Sequence, residues 1–205
     1  MSQIGTVTAS GPRWATVARS TKETQITVTL KLDGTGETRI ETGVGFYDHL
    51  LSSMAHHALF DLEIDASGDI VVDEHHTVED VALVLGAALA QALGDRSGIA
   101  RFGDCSVPMD ESVATAVVDV GGRPYAVIDL PFKGKRAGKM PLELIEHTLE
   151  SFARAGGVTL NLEGRGRNDH HLAEAAFKAL GRALCAAVTV DPRRHGPAST
   201  KGALG

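Results

Sequence analysis

The order of elements along this chain predicts an α+β fold in which a sheet layer packs on a helix layer, with the whole arrangement occurring twice. Three observations carry that expectation. Strand-like segments lead into a helix, a further strand and a second helix, and the same succession then returns. A short histidine motif recurs with it, 95 residues on (His75 to His170). The 205 residues are 43% apolar, enough to bury a sizeable core and too apolar for a disordered chain.

Ile26 to Leu32 alternates apolar and polar side chains, as a half-buried strand does. Asp33-Gly-Thr-Gly36 is a turn signal, and Glu37 to Glu41 is expected to return as the partner strand. A helix follows over 46–58. Leu62 to Val72 is strand-like, with a break at Gly68-Asp69. Alanine and leucine then dominate a helix from about His76 to Leu93, stopped by Gly94. In the second half, Val113 to Val120 and Tyr125 to Leu130 are expected to form a hairpin around Gly121-Gly122. A helix over about 142–155, a strand over 158–162 and a helix over 172–188 complete the repeat. The expected organisation is one domain, residues 1–205, of two pseudo-repeats, about 16–94 and 95–188, with a tail over 189–205.

Composition excludes several classes of function. A net charge of −6 repels phosphate backbones and argues against a nucleic-acid partner. The longest apolar run, Val81 to Ala90, falls short of the ~18 residues of a spanning helix, so no membrane partner is expected. The opening MSQIGTVTASGPRW has no basic segment followed by an apolar one, hence no secretory signal. Cys105 and Cys185 make neither a disulfide framework nor a thiolate metal site. A cytoplasmic protein is expected.

The nine histidines are more informative. Asp73-Glu-His-His-Thr-Val-Glu79 and Asn168-Asp-His-His-Leu-Ala-Glu174 share the pattern His-His-x-x-Glu. Leu85-Gly86 matches Leu180-Gly181 at the same offset, and Asp48-His49 resembles Glu146-His147 upstream. On a helix, successive side chains point about 100° apart, so a His-His pair serves two different ions more readily than one. His49, His75, His76, Glu79, His147, His170, His171 and Glu174 together offer six imidazoles and two carboxylates, or three nitrogens and one oxygen for each of two metals. Such a donor set suits Mn²⁺, Fe²⁺ or Zn²⁺. Four protein ligands would close a tetrahedral zinc site, whereas an octahedral ion keeps positions open for substrate, which favours manganese. The His-Glu-x-x-His pattern of zinc proteases is absent, and Lys31-Leu-Asp-Gly-Thr35 lacks the first aspartate of a phosphatase motif.

Further segments carry a resemblance. Phe46-Tyr-Asp-His-Leu50, Asp73 to Asp80, Arg101-Phe-Gly-Asp104, Gly122-Arg-Pro-Tyr125, Ile145-Glu-His147, Asn168 to His171 and Phe177-Lys-Ala179 resemble the imidazoleglycerol-phosphate dehydratase family over about Thr16 to Gly202. The resemblance implies a fold akin to the second domain of ribosomal protein S5. It also implies an assembly of 24 chains and two manganese ions per active site, with ligands shared between subunits. All eight residues above then fall on metal ligands. Substrate contacts fall on Glu23, the segment from His49 to His57, Arg101, Arg123, Lys178, Ser199, Thr200 and Lys201, with the tail closing over substrate. Tyr47, Leu50 and Asn161 depart from the family's usual Leu, Met and His.

The implied reaction is dehydration of D-erythro-imidazoleglycerol phosphate to imidazole acetol phosphate in histidine biosynthesis. In it two metals acidify the ring to an imidazolate, and a diazafulvene intermediate follows. Glu23 is the leading acid/base, with Asp110 and a metal-site glutamate as alternatives. Two rivals remain at this level. One is a di-metal phosphohydrolase, which would hold its ions ~3.5–4 Å apart and release inorganic phosphate. The other is a non-catalytic metal-binding assembly protein.

Overall fold

The computed structural model describes residues 13–202 and Leu204. The leader reading of the first residues, and residues 1–12 of the expected domain, lie outside that range.

The first half contains β1 (Trp14–Ser20), β2 (Thr24–Lys31), β3 (Thr38–Glu41), α1 (Gly45–Ala58), β4 (Asp61–Gly68) and α2 (His75–Leu93). The second contains β5 (Phe102–Met109), β6 (Ser112–Asp119), β7 (Tyr125–Asp129), a small hairpin of β8 (Arg136–Ala137) and β9 (Met140–Pro141), α3 (Glu143–Gly156), β10 (Thr159–Arg165) and α4 (Asp169–Val188). The sheets run β1-β2-β4-β3 and β5-β6-β10-β7, the same order with equivalent strands. The α+β class and the duplication are as the sequence predicts. Each sheet packs on helices of its own half, and the halves meet helix to helix, α2 on α3 and α1 on α4.

Two expected hairpins do not form. β3 pairs parallel with β4, not with β2, and β7 pairs parallel with β10, not with β6. The reason is the helix between the partners. β3-α1-β4 and β7-α3-β10 are crossover units, and a helical crossover returns the chain in the same direction. β2 already lies between β1 and β4, which leaves β3 only the free edge of β4. Edge strands β1 and β5 escape sequence reading because β1 shows little alternation and β5, though it alternates, includes Gly103 and Pro108, tolerated at an edge. The strand expected to continue through Val72 stops at Gly68, and the turn beyond it leaves Val71 98% exposed.

Central strands explain the core. β2 buries Thr24, Ile26, Val28 and Leu30 on one face, and β6 buries Ser112, Ala114, Ala116 and Val118. The matched pair Gly86 and Gly181 marks the helix crossings. A Cβ on Gly86 would strike the Phe152 carbonyl of α3, and one on Gly181 the Met54 carbonyl of α1. Two bare backbones are what let these helices approach so closely. α2, long and apolar enough to span a membrane, is mostly buried here as a core helix.

The tail expected over 189–205 is tied down in its described part. Val190 bridges Ile99, Pro197 bridges Ser97, and Gly98 N donates to Gly196 O at 3.0 Å.

Candidate metal centres

The helix crossings bring the predicted ligands into two clusters. His49 of α1 meets His170 and Glu174 of α4, and His147 of α3 meets His75 and Glu79 of α2. Each cluster therefore joins the two halves of the chain. In the first, Nε2 of His170 and of His49 lie 2.8 and 3.1 Å from Glu174 Oε1. In the second, Nε2 of His147 and of His75 lie 3.6 and 3.7 Å from Glu79 Oε2. The imidazoles stack in near-parallel pairs, inclined by 28° and 29°.

The other carboxylate oxygen of each glutamate faces a cation. Lys178 Nζ sits 2.7 Å from Glu174 Oε2, and Arg154 Nη2 sits 3.5 Å from Glu79 Oε1. Burial pushes the Glu174 carboxyl up, but the Lys178 ammonium and His49 outweigh it and hold the group at about 2, so its oxygens act as acceptors.

His76 and His171 point away from these clusters, as adjacent helical positions require. His76 Nδ1 lies 3.2 Å from Asp69 Oδ2, and that contact raises the ring's pKa, with Glu23 adding to it. His171 Nδ1 lies 2.9 Å from Glu111 Oε2. Glu111 is held well below the usual carboxylate range, first by His171, and His171 is raised in return. A carboxylate oxygen accepts, so Nδ1 of each ring is the donor in these contacts and Nε2 is the nitrogen they leave unengaged.

Helix starts set these directions. Asp73 Oδ1 accepts from His75 N at 2.8 Å, and Asn168 Oδ1 accepts from His170 N at 3.0 Å and from His171 N at 3.5 Å. This capping starts α4 at Asp169, three residues before the expected position, and puts both histidines in its first turn.

Glu23 stands in the β1–β2 turn with its side chain 57% exposed and Oε2 3.7 Å from His76 Nδ1. Asp110 has a left-handed backbone and lies 3.8 Å from His171 Nδ1. The pKa of His57, in the last turn of α1, is lowered by burial and then by the neighbouring His56, Lys178 and Arg182.

Arg101, Arg123 and the tail residues Ser199, Thr200 and Lys201 are not brought to either cluster. Arg101 N donates to Ala187 O, seventeen residues beyond His170 on α4 and so roughly 25 Å along that helix. Arg101 Nη1 holds the Ala198 carbonyl beside Ser199, and the Arg123 carbonyl accepts from Thr159 Oγ1 at the start of β10.

Asp69, Glu111 and Arg154 are absent from the sequence-derived site. Glu111 was within reach: Glu23 precedes the buried Thr24 as Glu111 precedes the buried Ser112, and both begin equivalent central strands.

The comparison with known proteins decides the family. Residues 42–184 match the family model for imidazoleglycerol-phosphate dehydratase. This chain belongs to that family. It is accordingly a hydro-lyase. An imidazoleglycerol-phosphate dehydratase from Methanoculleus marisnigri is 51% identical over 192 residues, 94% of this chain and 100% of the relative. One from Chloroflexus aurantiacus is 49% identical over 206 residues and the whole of both chains. The Pyrococcus furiosus enzyme solved with (S)-C348 superposes with a TM-score of 0.79 at 33% identity, over 92% of this chain and all of that one.

The departures from the dehydratase pattern find a place in the structure. Tyr47 is fully buried and its hydroxyl meets Thr148 Oγ1 at 2.6 Å, while Asn161 sits on the outer face of the second sheet. Neither lies in a ligand cluster.

Proposed function

We propose that this chain dehydrates imidazoleglycerol phosphate to imidazole acetol phosphate, in the cytoplasm, using two manganese ions held in sites shared between copies. The observation that carries the proposal is the arithmetic of the ligands. Each cluster supplies two imidazoles and one carboxylate, and each needs one more imidazole to reach three nitrogens and one oxygen. His76 and His171 are the two remaining, turned outward with Nε2 free. A neighbouring copy's outward histidine would complete each cluster.

The residues fit such an ion. His147 Nε2 is buried with no hydrogen-bond partner, an orphan that costs free energy unless something binds it. The donors are imidazole nitrogens and carboxylate oxygens, with thiolate absent from both clusters, a set that suits Mn²⁺, Fe²⁺ or Zn²⁺. When bound, a divalent cation lowers the pKa of a ring N–H as it lowers that of a coordinated water.

In the reaction a hydroxyl leaves the carbon next to the ring, and a hydrogen leaves the following carbon. No carbonyl adjoins that C–H to take up charge, so the ring itself must supply the electrons. Glu23 takes the carbon-bound proton, since its carboxylate is exposed and unrestrained beside His76. Asp110, whose Oδ2 lies 3.8 Å from His171 Nδ1, is the alternative. Arg101, Arg123, Lys178, Ser199, Thr200 and Lys201 hold the phosphate, and His49 and His57 line the ring end of the site. The roughly 25 Å along α4 from His170 to the residue that holds Arg101 exceeds any three-carbon arm, so the phosphate site beside the His49–His170–Glu174 cluster would come from a second copy, as an assembly of 24 chains would supply.

The test is to strip the protein with chelator, restore it with Mn²⁺ and incubate it with imidazoleglycerol phosphate. A ketone that retains its phosphate supports the proposal, and dehydration without restored metal refutes the metal requirement. Release of inorganic phosphate instead would identify the hydrolase rival, and metal uptake without any turnover the assembly-protein rival. Glu79→Ala and Glu174→Ala should lose manganese and turnover together.

A further inference from the structure

Asp119 ends β6 on the outer face of the second sheet, between Phe102 of β5 and Thr159 of β10. Its two oxygens accept from Arg101 Nε at 2.7 Å and Nη2 at 2.8 Å, a fork-to-fork pairing that fixes the plane of the guanidinium. Oδ1 also accepts from Gly121 N at 2.8 Å, two residues before Arg123. Arg101 Nη1 in turn donates to the Ala198 carbonyl at 2.7 Å, next to Ser199. One carboxylate thus ties together the Arg101 side chain, the loop that carries Arg123 and the tail segment that carries Ser199, Thr200 and Lys201.

The arrangement is a built one. The Arg101 and Asp119 side chains are only 13% and 16% exposed. The guanidinium lies 4.7 Å over the Phe102 ring and covers Gly121 so closely that a Cβ there would be 2.7 Å from Nε. Arg101 also adopts φ of 75°, a left-handed conformation that a non-glycine residue keeps only where its surroundings enforce it. Of the five guanidinium N–H donors, these contacts engage three and leave two for an anion.

We infer that Asp119 is a positioning residue for the substrate's phosphate, holding Arg101, the Arg123 loop and the tail in one register while touching no substrate itself. The inference rests on the proposed assignment of those three segments to the phosphate. An alternative role, plain stabilisation of the sheet corner, would leave substrate affinity untouched.

Asp119→Asn preserves shape and the acceptor for Gly121 N but removes the charge and half of the fork. KM for imidazoleglycerol phosphate should rise about tenfold or more while kcat stays within about threefold, the pattern of lost binding rather than lost chemistry. Inhibition by inorganic phosphate should weaken in parallel, with manganese content and particle mass unchanged. Asp119→Glu, which keeps the charge and shifts the fork by one methylene, carries the test if Asp119→Asn does not fold, and should raise KM in the same direction. Unchanged KM and unchanged phosphate inhibition in the Asp119 variants, with KM raised and phosphate inhibition weakened in Arg123→Met, would overturn the role of Asp119 alone. If Arg123→Met and Lys201→Met also leave both unchanged, the phosphate assignment itself falls, and this inference with it.

Discussion

Glu23 and Glu111 occupy equivalent turns in the two halves, yet only Glu111 is tied down. Its carboxylate accepts from Arg167 N, Asn168 N, Ser112 Oγ and His171 Nδ1, whereas the nearest basic group to the Glu23 carboxylate is His76 Nδ1 at 3.7 Å. The duplication has produced one carboxylate that orients a ligand and one that is free to exchange a proton. Glu23→Gln should keep full manganese content and lose at least about 100-fold in kcat, within the range of acid–base catalysis. Glu111→Gln should instead weaken manganese binding about 10–100-fold, as loss of an orienting partner does. Metal titration beside steady-state kinetics separates the two.

Gly181 is the point where α4 crosses α1, and the crossing aligns His49 with Glu174. Gly181→Ala places a methyl against the Met54 carbonyl, which is backbone and cannot swing aside. A loss of about 1–3 kcal/mol in unfolding free energy is expected from such overpacking, measured by urea denaturation of the metal-free protein. Gly86→Ala, at the equivalent crossing of α2 and α3, should behave alike.

The hydroxyls of Tyr47 and Thr148 satisfy each other in a buried setting, and burial pushes the phenol's pKa up. Tyr47→Phe strands Thr148, and Thr148→Val strands Tyr47. Each should cost about 1–3 kcal/mol, while the double variant should cost less than the sum because no orphan remains. A double-mutant cycle on thermal or chemical unfolding reads this directly.

Asp61 anchors the turn before β3. Its carboxylate accepts from Thr35 N at 2.7 Å and from Lys31 Nζ at 3.0 Å. The Thr35 amide first, and then Lys31, lower the group from 3.8 to about 2. A carboxyl depressed by folding contributes stability that is complete above its unfolded value and disappears as pH falls through the folded one. Asp61→Asn should therefore lower Tm at neutral pH, and the gap from the parent should close as pH falls from about 4 to about 2. A gap that is constant across that window would refute the linkage.

Much of the site was legible because its pattern is local. His-His-x-x-Glu puts donors on one turn of helix, and its recurrence with Leu-Gly marks both the clusters and the crossings that build them. The strand pairing was not legible, since β3 and β7 choose partners across an intervening helix and leave no signature in their own residues. Edge strand β1 alternates little, and β5, though it alternates, carries Gly103 and Pro108, so neither opening strand was read. The Arg101–Asp119 pair spans 18 positions and reaches a tail that composition reads as frayed. Contacts of that kind are set by packing, and packing follows from the whole chain.

The central claim is that each cluster holds three of the four protein ligands of a metal site, finished by an imidazole from another copy. Crystals grown with Mn²⁺, with diffraction recorded at the manganese absorption edge, test it most directly. The account predicts two anomalous peaks per chain, one on His49, His170 and Glu174 and one on His75, Glu79 and His147, each also bonded to Nε2 of a His76 or His171 from a neighbouring molecule. A single peak per chain, or ions fully ligated within one chain, would contradict it.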